Sequence, residues 1–249
     1  MTDTGRYPPV PGYFFILSRP KACLSLDEYH SWYNTEHGPL RLMLDFFPVG
    51  HRYRSRDLDP PVWLAAYDVT TLSCSEDPRY TMLRQNRSRR ETRILNTGLD
   101  MLDRRIYRTL STRGTSHGPA PVIMATTFVV REELVGELHA WYDQEHLRHI
   151  SMIPGWRRTR RFQLVESTDP KNGVVELLAV HDFDQVNGLG GMEHEQVQAT
   201  PWRAKILEMV ESRDNKVFDF FHEFKAGDYR RPIEVDDERA GLNRSDITC

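Results

Sequence analysis

The stretch HSWYNTEH at residues 30–37 returns as HAWYDQEH at residues 139–146, so the pattern His-x-Trp-Tyr-x-x-Glu-His occurs twice, 109 positions apart. Trp, Tyr and His are uncommon residues, and five matches at one spacing point to a duplicated unit. A repeat outranks other sequence signals, because missing it miscalls the whole fold. The match extends on both sides of the motif. GYFFILS (12–18) corresponds to PVIMATTFVV (121–130), PVGHRYRSR (48–56) to PGWRRTRRF (154–162), and WLAAYDV (63–69) to ELLAVHDF (176–183). RRETRIL (89–95) then faces PWRAKIL (201–207), and RRIYRTL (104–110) faces NKVFDFF (215–221). The polar, Gly- and Pro-bearing STRGTSHGPAP (111–121) reads as a linker. The predicted organisation is one domain at 12–110, a second at 121–224, and a polar tail at 225–249.

Within each copy the hydrophobic period changes in a fixed order. Residues 13–17 and 122–130 are short, β-branched and aromatic, as strands are. From Ser25, the residues Leu26, Tyr29, Tyr33, His37, Leu40 and Leu44 recur every three or four positions, which predicts an amphipathic helix. Ser25 with Glu28 forms a capping box at its start. Leu134, Leu138, Tyr142, His146, Ile150 and Ile153 give the same face in the second copy. Two strands follow, joined by DLDPP (57–61) or ESTDPKNG (166–173), and a second helix and a last strand close the unit. The order is β-α-β-β-α-β, the ferredoxin-like unit. One sheet face is covered by the two helices and the other is left apolar. The fold expected is α+β: two tandem ferredoxin-like repeats that pair their antiparallel sheets into an intramolecular α/β barrel, helices outside.

Composition narrows the function classes. A formal charge of −3 gives no reason to expect a nucleic-acid partner or a membrane surface. The runs RRTRR (157–161) and RQNRSRRETR (84–93) look basic, but alternation in a strand sends Arg158 and Arg160 one way and Arg157 and Arg161 the other. The second run is expected on a helix with its charges spread round it. The N-terminal stretch lacks the basic start and apolar run of a signal peptide, and no segment has the roughly 20 apolar residues of a spanning helix. A cytoplasmic protein is expected. The cysteines show no zinc-ligand spacing, and EHLRH (145–149) is not the His-Glu-x-x-His zinc motif, so no metal site is expected.

With EYHSWYNTEHGPL and ELHAWYDQEHLRH in view, the chain resembles the EthD-like family of the dimeric α/β-barrel, ferredoxin-like superfamily, in tandem duplicate. The first segment carries the family's aromatic-rich helix ending in His-x-Pro-Leu. The second matches through His146 and then has Arg148 and His149 where Pro39 and Leu40 stand. The resemblance implies a ligand cavity between helices and sheet. It also implies chemistry drawn from cofactor-free cyclases, decarboxylases, isomerases and monooxygenases of aromatic or polyketide-like molecules, with some haem enzymes among them. Tandem chains of this type resemble tailoring proteins of fungal secondary metabolism.

Against that background the candidate residues follow. His37 and His146 lie on the apolar stripe, where a neutral imidazole suits general acid or base work; a buried structural His is the competing reading. Tyr33 and Tyr142, one turn earlier, could share a proton with the His or simply fill core. Trp32 and Trp141 flank the stripe as cavity wall or packing. Glu36 and Glu145 are expected in solvent or beside an Arg. Tyr67 and His181 occupy matching strand positions beside Ala65 and Ala179, which leaves room for a ligand. Arg52, Arg54, Arg158 and Arg160 recur at matching positions, where one pair, Arg52 and Arg158, could bind a substrate carboxylate and a salt-bridged surface is the competing reading, and His149 stands close to His146. The function expected is a cofactor-independent tailoring enzyme that acts on an aromatic or polyketide-type small molecule. It would work by His-mediated proton transfer, as a lyase (decarboxylase or cyclase) or isomerase. The alternatives are a non-catalytic small-molecule binder and haem-dependent oxidation. Self-association and the identity of the working repeat stay open.

Overall fold

In a computed structural model of the chain, residues 10–56, 59–170 and 172–232 are described. The first repeat contributes β1 (Gly12–Pro20), α1 (Leu26–Trp32), α2 (Gly38–Leu42), β2 (Val49–Ser55), β3 (Trp63–Val69), α3 (Pro78–Gln85), α4 (Arg89–Arg93) and β4 (Leu99–Gly114). The second contributes β5 (Val122–Arg131), α5 (Val135–Trp141), α6 (Leu147–Ile150), β6 (Trp156–Ser167), β7 (Val174–Phe183), α7 (Met192–Gln198), α8 (Pro201–Met209) and β8 (Ser212–Glu223). The βαββαβ order appears twice, as the duplicated pattern predicts.

The eight strands close into one antiparallel barrel in the order β1-β3-β2-β8-β5-β7-β6-β4. Each repeat alone would leave two sheet edges with unpaired backbone groups. Here β2 pairs with β8 (Arg52 opposite His222) and β4 with β6 (Tyr107 opposite Leu164), so each repeat seals the other's edges. Both faces of the strands are buried for different reasons. Tyr13, Phe15 and Leu17 of β1 point into the barrel with Leu64, Tyr107, Phe162, Val180 and Phe218. Phe14 and Ile16 point outward into the layer beneath α1 and α2. The corresponding outer layer of the second repeat holds Phe128, Val130, Leu138, Trp141 and Ile206. At the end of β4, Gly114 adopts φ +80°, and a Cβ there would meet the Arg157 carbonyl oxygen at 2.4 Å, so only glycine lets the strand turn into the linker.

Two expectations about elements change. The basic run 84–93 is not one helix: α3 ends at Gln85 and α4 restarts at Arg89, with Ser88 as its N-cap. The polar tail is described only to residue 232. Its first part lies across the first repeat, where the Arg230 amide donates to the Thr35 carbonyl at 2.7 Å. The remainder of the tail lies outside the described residues. Among the described residues no helix is long and apolar enough to cross a membrane.

Candidate active site

The repeated motif is built into a widened helical turn. Ser25 caps α1, its Oγ accepting from the Glu28 amide at 3.2 Å. The chain then passes through a π-turn at Tyr33–His37, where the Gly38 amide donates to the Tyr33 carbonyl, five residues back. The second copy repeats it: Tyr142–His146 is a π-turn closed by the Leu147 amide on the Tyr142 carbonyl. In a regular α-helix, residues five apart diverge by about 140°. The wider turn realigns them, so the His37 ring lies against Trp32 at 4.6 Å and the His146 ring stacks on Trp141 at 4.2 Å. Each imidazole also meets the Tyr one turn earlier edge-on, at 5.0 Å in both copies. Trp32 and Trp141 are therefore inside the stripe and fully buried, where periodicity placed them at its flanks. Such π-turns recur at functional sites.

The motif's other letters have structural partners in both copies. Its first His meets an arginine on the sheet: Arg52 Nη1 lies 3.2 Å from His30 Nδ1 and donates to Asn34 at 2.7 Å. Arg161 does the same with His139 and Asp143. The guanidiniums sit over the motif tyrosines, 4.3 Å from the Tyr33 ring and 4.2 Å from that of Tyr142. The counterpart of Arg52 is thus Arg161, not Arg158. Arg52 lies opposite Ala65 and Arg161 opposite Ala179, whereas Arg158 pairs with Asp182 inside the barrel, on the far face of the sheet. The motif's Glu ties the two helices of each repeat together. Glu36, nearly fully buried rather than solvated, accepts from the hydroxyl of Ser88, the N-cap of α4. Glu145 accepts from Thr200, the N-cap of α8, at 2.7 Å.

Two letters differ between copies: Trp141 Nε1 donates to Glu145 at 3.1 Å while Trp32 Nε1 is buried with no partner among the described residues, and the last His has different neighbours. His37 Nδ1 is 2.8 Å from Glu91 Oε1, and both side chains are buried. Burial, followed by the charge of Arg41, lowers the His37 pKa to about 4 despite the carboxylate. Burial alone would raise the Glu91 carboxyl, but the His37 bond and the charges of Arg41 and Arg87 hold it below its usual value. Glu91 is therefore the anion, Nδ1 carries the proton, and Nε2 keeps its lone pair. In the second repeat the residue three past the helix cap is Arg203 instead of Glu91. His146, with no carboxylate beside it, is driven well below its ordinary pKa, first by burial and then by His181 and Arg203.

The surroundings of the two histidines diverge accordingly. His37 borders a hollow of about 20 Å³ shared with Arg41, Tyr80, Arg84, Arg87 and Arg104. A neighbouring hollow of about 130 Å³ shares Tyr80, Arg84 and Arg104 with it and reaches Glu166. Among the described residues none of these four arginines forms an ion pair. Arg104 has its pKa lowered by burial and by the charges of Arg84, Arg41 and Arg87. In the second repeat, His181 packs 6.1 Å from His146, its Nδ1 2.8 Å from the Thr159 hydroxyl. That hydroxyl also accepts from Trp156 Nε1 at 3.0 Å, and His181 Nε2 is buried with no partner among the described residues. Burial lowers the His181 pKa to about 3.

The strand alanines do not create ligand space in the first repeat. Phe224, just past β8, inserts between Tyr67 (5.3 Å, 9°) and Tyr33 (6.0 Å, 11°) and fills it. His149 lines a surface hollow of about 170 Å³ with Arg148, Met152 and Glu193, which His146 does not border. The structure thus brings Trp32, Tyr33, His37, Tyr67 and Arg52 together in one repeat, and Trp141, Tyr142, His146 and His181 in the other. Arg158 and His149 belong to neither group. Sequence reading missed Glu91, Arg41 and Arg161. Matching each strand Arg to its paired Ala would have found Arg161; Arg41 lies four residues past His37 and donates to its carbonyl at 2.8 Å, whereas Glu91 meets His37 only through tertiary packing.

These features define a two-repeat dimeric α/β barrel closed within one chain. A candidate monooxygenase of Fusobacterium nucleatum superposes with a TM-score of 0.54 at 7% identity, over 87% of this chain and 95% of its own. An anthrone oxidase-like protein superposes with a TM-score of 0.57 at 10% identity, over 87% and 94%. At such identities the likeness establishes the fold. No family model and no curated relative matches the chain.

Proposed function

We propose that the chain is a tailoring enzyme of the EthD-like type that moves a proton on an anionic aromatic or polyketide-type molecule, using the first repeat. The observation that carries this reading is the buried His37–Glu91 pair at the edge of an arginine-lined hollow. Glu91 fixes the imidazole with Nε2 unprotonated, the form that abstracts a proton, as carboxylate–imidazole pairs do. Arg41, Arg84, Arg87 and Arg104 outnumber the one carboxylate, Glu91, that lines the hollow with them, which leaves positive charge suited to a substrate carboxylate or an enolate formed by the abstraction. Returning the proton to another carbon of the enolate would give isomerisation; attack of the enolate carbon on a second carbonyl carbon, with the proton returned to the resulting alkoxide, would give cyclisation; and loss of carbon dioxide from a β-keto carboxylate would leave an enolate that takes a proton at carbon, which is decarboxylation. Tyr33 acts as wall and support for the His37 ring. The second repeat, with Arg203 in place of the carboxylate, serves as the structural partner.

A non-catalytic carrier is the second reading, and the small volume at His37, room for about one water-sized group, favours it. The two separate in deuterium oxide. Hydroxylated aromatic acids and β-keto polyketide mimics are incubated with the protein and followed by NMR. Catalysis gives deuterium incorporation at an acidic carbon that His37→Ala abolishes while ligand binding persists. Binding without exchange for any compound in the series would leave the carrier reading.

A further inference from the structure

A roomier hollow than those beside His37 and His149 borders neither motif histidine. At one end of the barrel, beneath the linker, lies a cavity of about 230 Å³ on the opposite sheet face from the motif helices. We propose that it is a second small-molecule site, which takes a neutral one-ring compound bearing several hydroxyl groups.

The size sets an upper bound on the ligand. An apolar cavity of about 150 Å³ accepts benzene, so 230 Å³ admits a ring with polar substituents. Charge sets its class. Arg158 binds Asp182 at 2.6 Å, and Arg160 reaches across the bore from β6 to Asp68 on β3 at 2.7 Å. Glu223 adds a third carboxylate to the wall, and burial keeps His51 below its ordinary pKa and hence neutral. Two guanidiniums therefore face three carboxylates, which disfavours an anion. This separates the cavity from the arginine-lined hollow beside His37.

What remains unsatisfied is hydrogen bonding. Ser116 Oγ, Arg160 Nε and His51 Nε2 are buried without a hydrogen-bond partner, the last lying 3.8 Å from Glu223. The Tyr13 and Tyr53 hydroxyls also line the space and bond to no described residue. Burial lifts the Tyr13 pKa to about 12, so it stays a neutral O–H. Three groups cut off from solvent and unpaired among the described residues, set beside two tyrosine hydroxyls, call for a partner with both donors and acceptors. Stacking is not on offer at Tyr13, whose ring is already occupied by Phe162 at 4.8 Å and Arg160 at 4.6 Å. Hydroxyl groups rather than a π-face are what the walls read.

Isothermal titration of the full chain with phloroglucinol and with myo-inositol tests the proposal and distinguishes an aromatic from an aliphatic ring. Binding of at least one is expected, weakened about tenfold or more by His51→Leu and by Ser116→Trp, which fills the space from the linker. His37→Ala is expected to leave this binding unchanged, so failure of the catalytic reading and failure of this one are told apart. No binding of either compound at millimolar concentration would overturn the proposal. So would binding that both cavity variants retain while their thermal unfolding matches the parent chain.

Discussion

His37 Nδ1 lies 2.8 Å from Glu91 Oε1, while its counterpart His146 has Arg203 at the position where Glu91 would stand. The copies share the π-turn, the Trp–His contact and the Glu–helix-cap bond. They part at the one residue that decides which imidazole nitrogen holds a proton. A carboxylate partner makes a base with a defined tautomer; an arginine in its place repels the charged form.

Glu91→Gln keeps the shape and removes the anion. Turnover in the exchange assay is expected to fall by about 100-fold or more, within the range of general-base contributions. Ligand affinity should change little. On the proposed reading the parent chain should hold its exchange activity down to about pH 4, where His37 protonates, rather than losing it near 6.5. A pH–rate profile with an acid limb near 6.5 would contradict the assigned burial.

Stability should fall on acidification. His37 and His181 are buried neutral with pKa values of about 4 and about 3, below the ordinary 6.5. A lowered folded-state pKa means that the unfolded chain binds protons first, so stability is fully present above 6.5 and is lost as pH falls towards 4. At pH 5 the loss is roughly 2 kcal/mol for each of the two. Urea unfolding at pH 7 and pH 5 measures it, and a midpoint that does not move would refute the neutral buried pair.

Gly38→Ala should be destabilising, because a Cβ there would meet the Phe224 ring at 2.1 Å. Overpacking of this kind costs about 1–3 kcal/mol. In a double-mutant cycle, Phe224→Ala should recover part of that loss, since it removes the ring that fills the space between Tyr33 and Tyr67. Additive losses would show that the two residues do not share that space.

Thr200→Val removes the hydroxyl that bonds Glu145 and caps α8. A loss of about 1–3 kcal/mol is expected, from the cap and from a partly buried carboxylate oxygen left with one donor fewer. Ser88→Ala should act likewise through Glu36 in the first repeat. Equal melting temperatures for parent and variants would remove the helix-tying role assigned to the motif's Glu.

Legibility varied residue by residue. The duplicated pattern and the period change at Ser25 gave the element order and placed Tyr29, Tyr33 and His37 facing the sheet. Alternation correctly split Arg160 from Arg161, because strand parity is local. It did not lead from Arg52 to Arg161, since aligning the two strands on Pro48 and Pro154 matches Arg52 with Arg158, three residues short of the register that the motif's 109-residue offset keeps. The π-turn was invisible because one extra residue in a turn leaves a stripe of threes and fours intact.

The sequence by itself determined that one unit occurs twice, that each unit is βαββαβ, and that a Tyr and a His on its first helix face the sheet. Those are consequences of short-range period and residue chemistry. Only the tertiary structure decided that Glu91, 54 residues from His37, becomes its partner, that Phe224 fills the space the strand alanines leave open, and that Arg160 spans the bore to Asp68. Each of these depends on which elements the closed barrel packs together, and a hydrogen bond or a filled void between distant segments leaves no period in the chain.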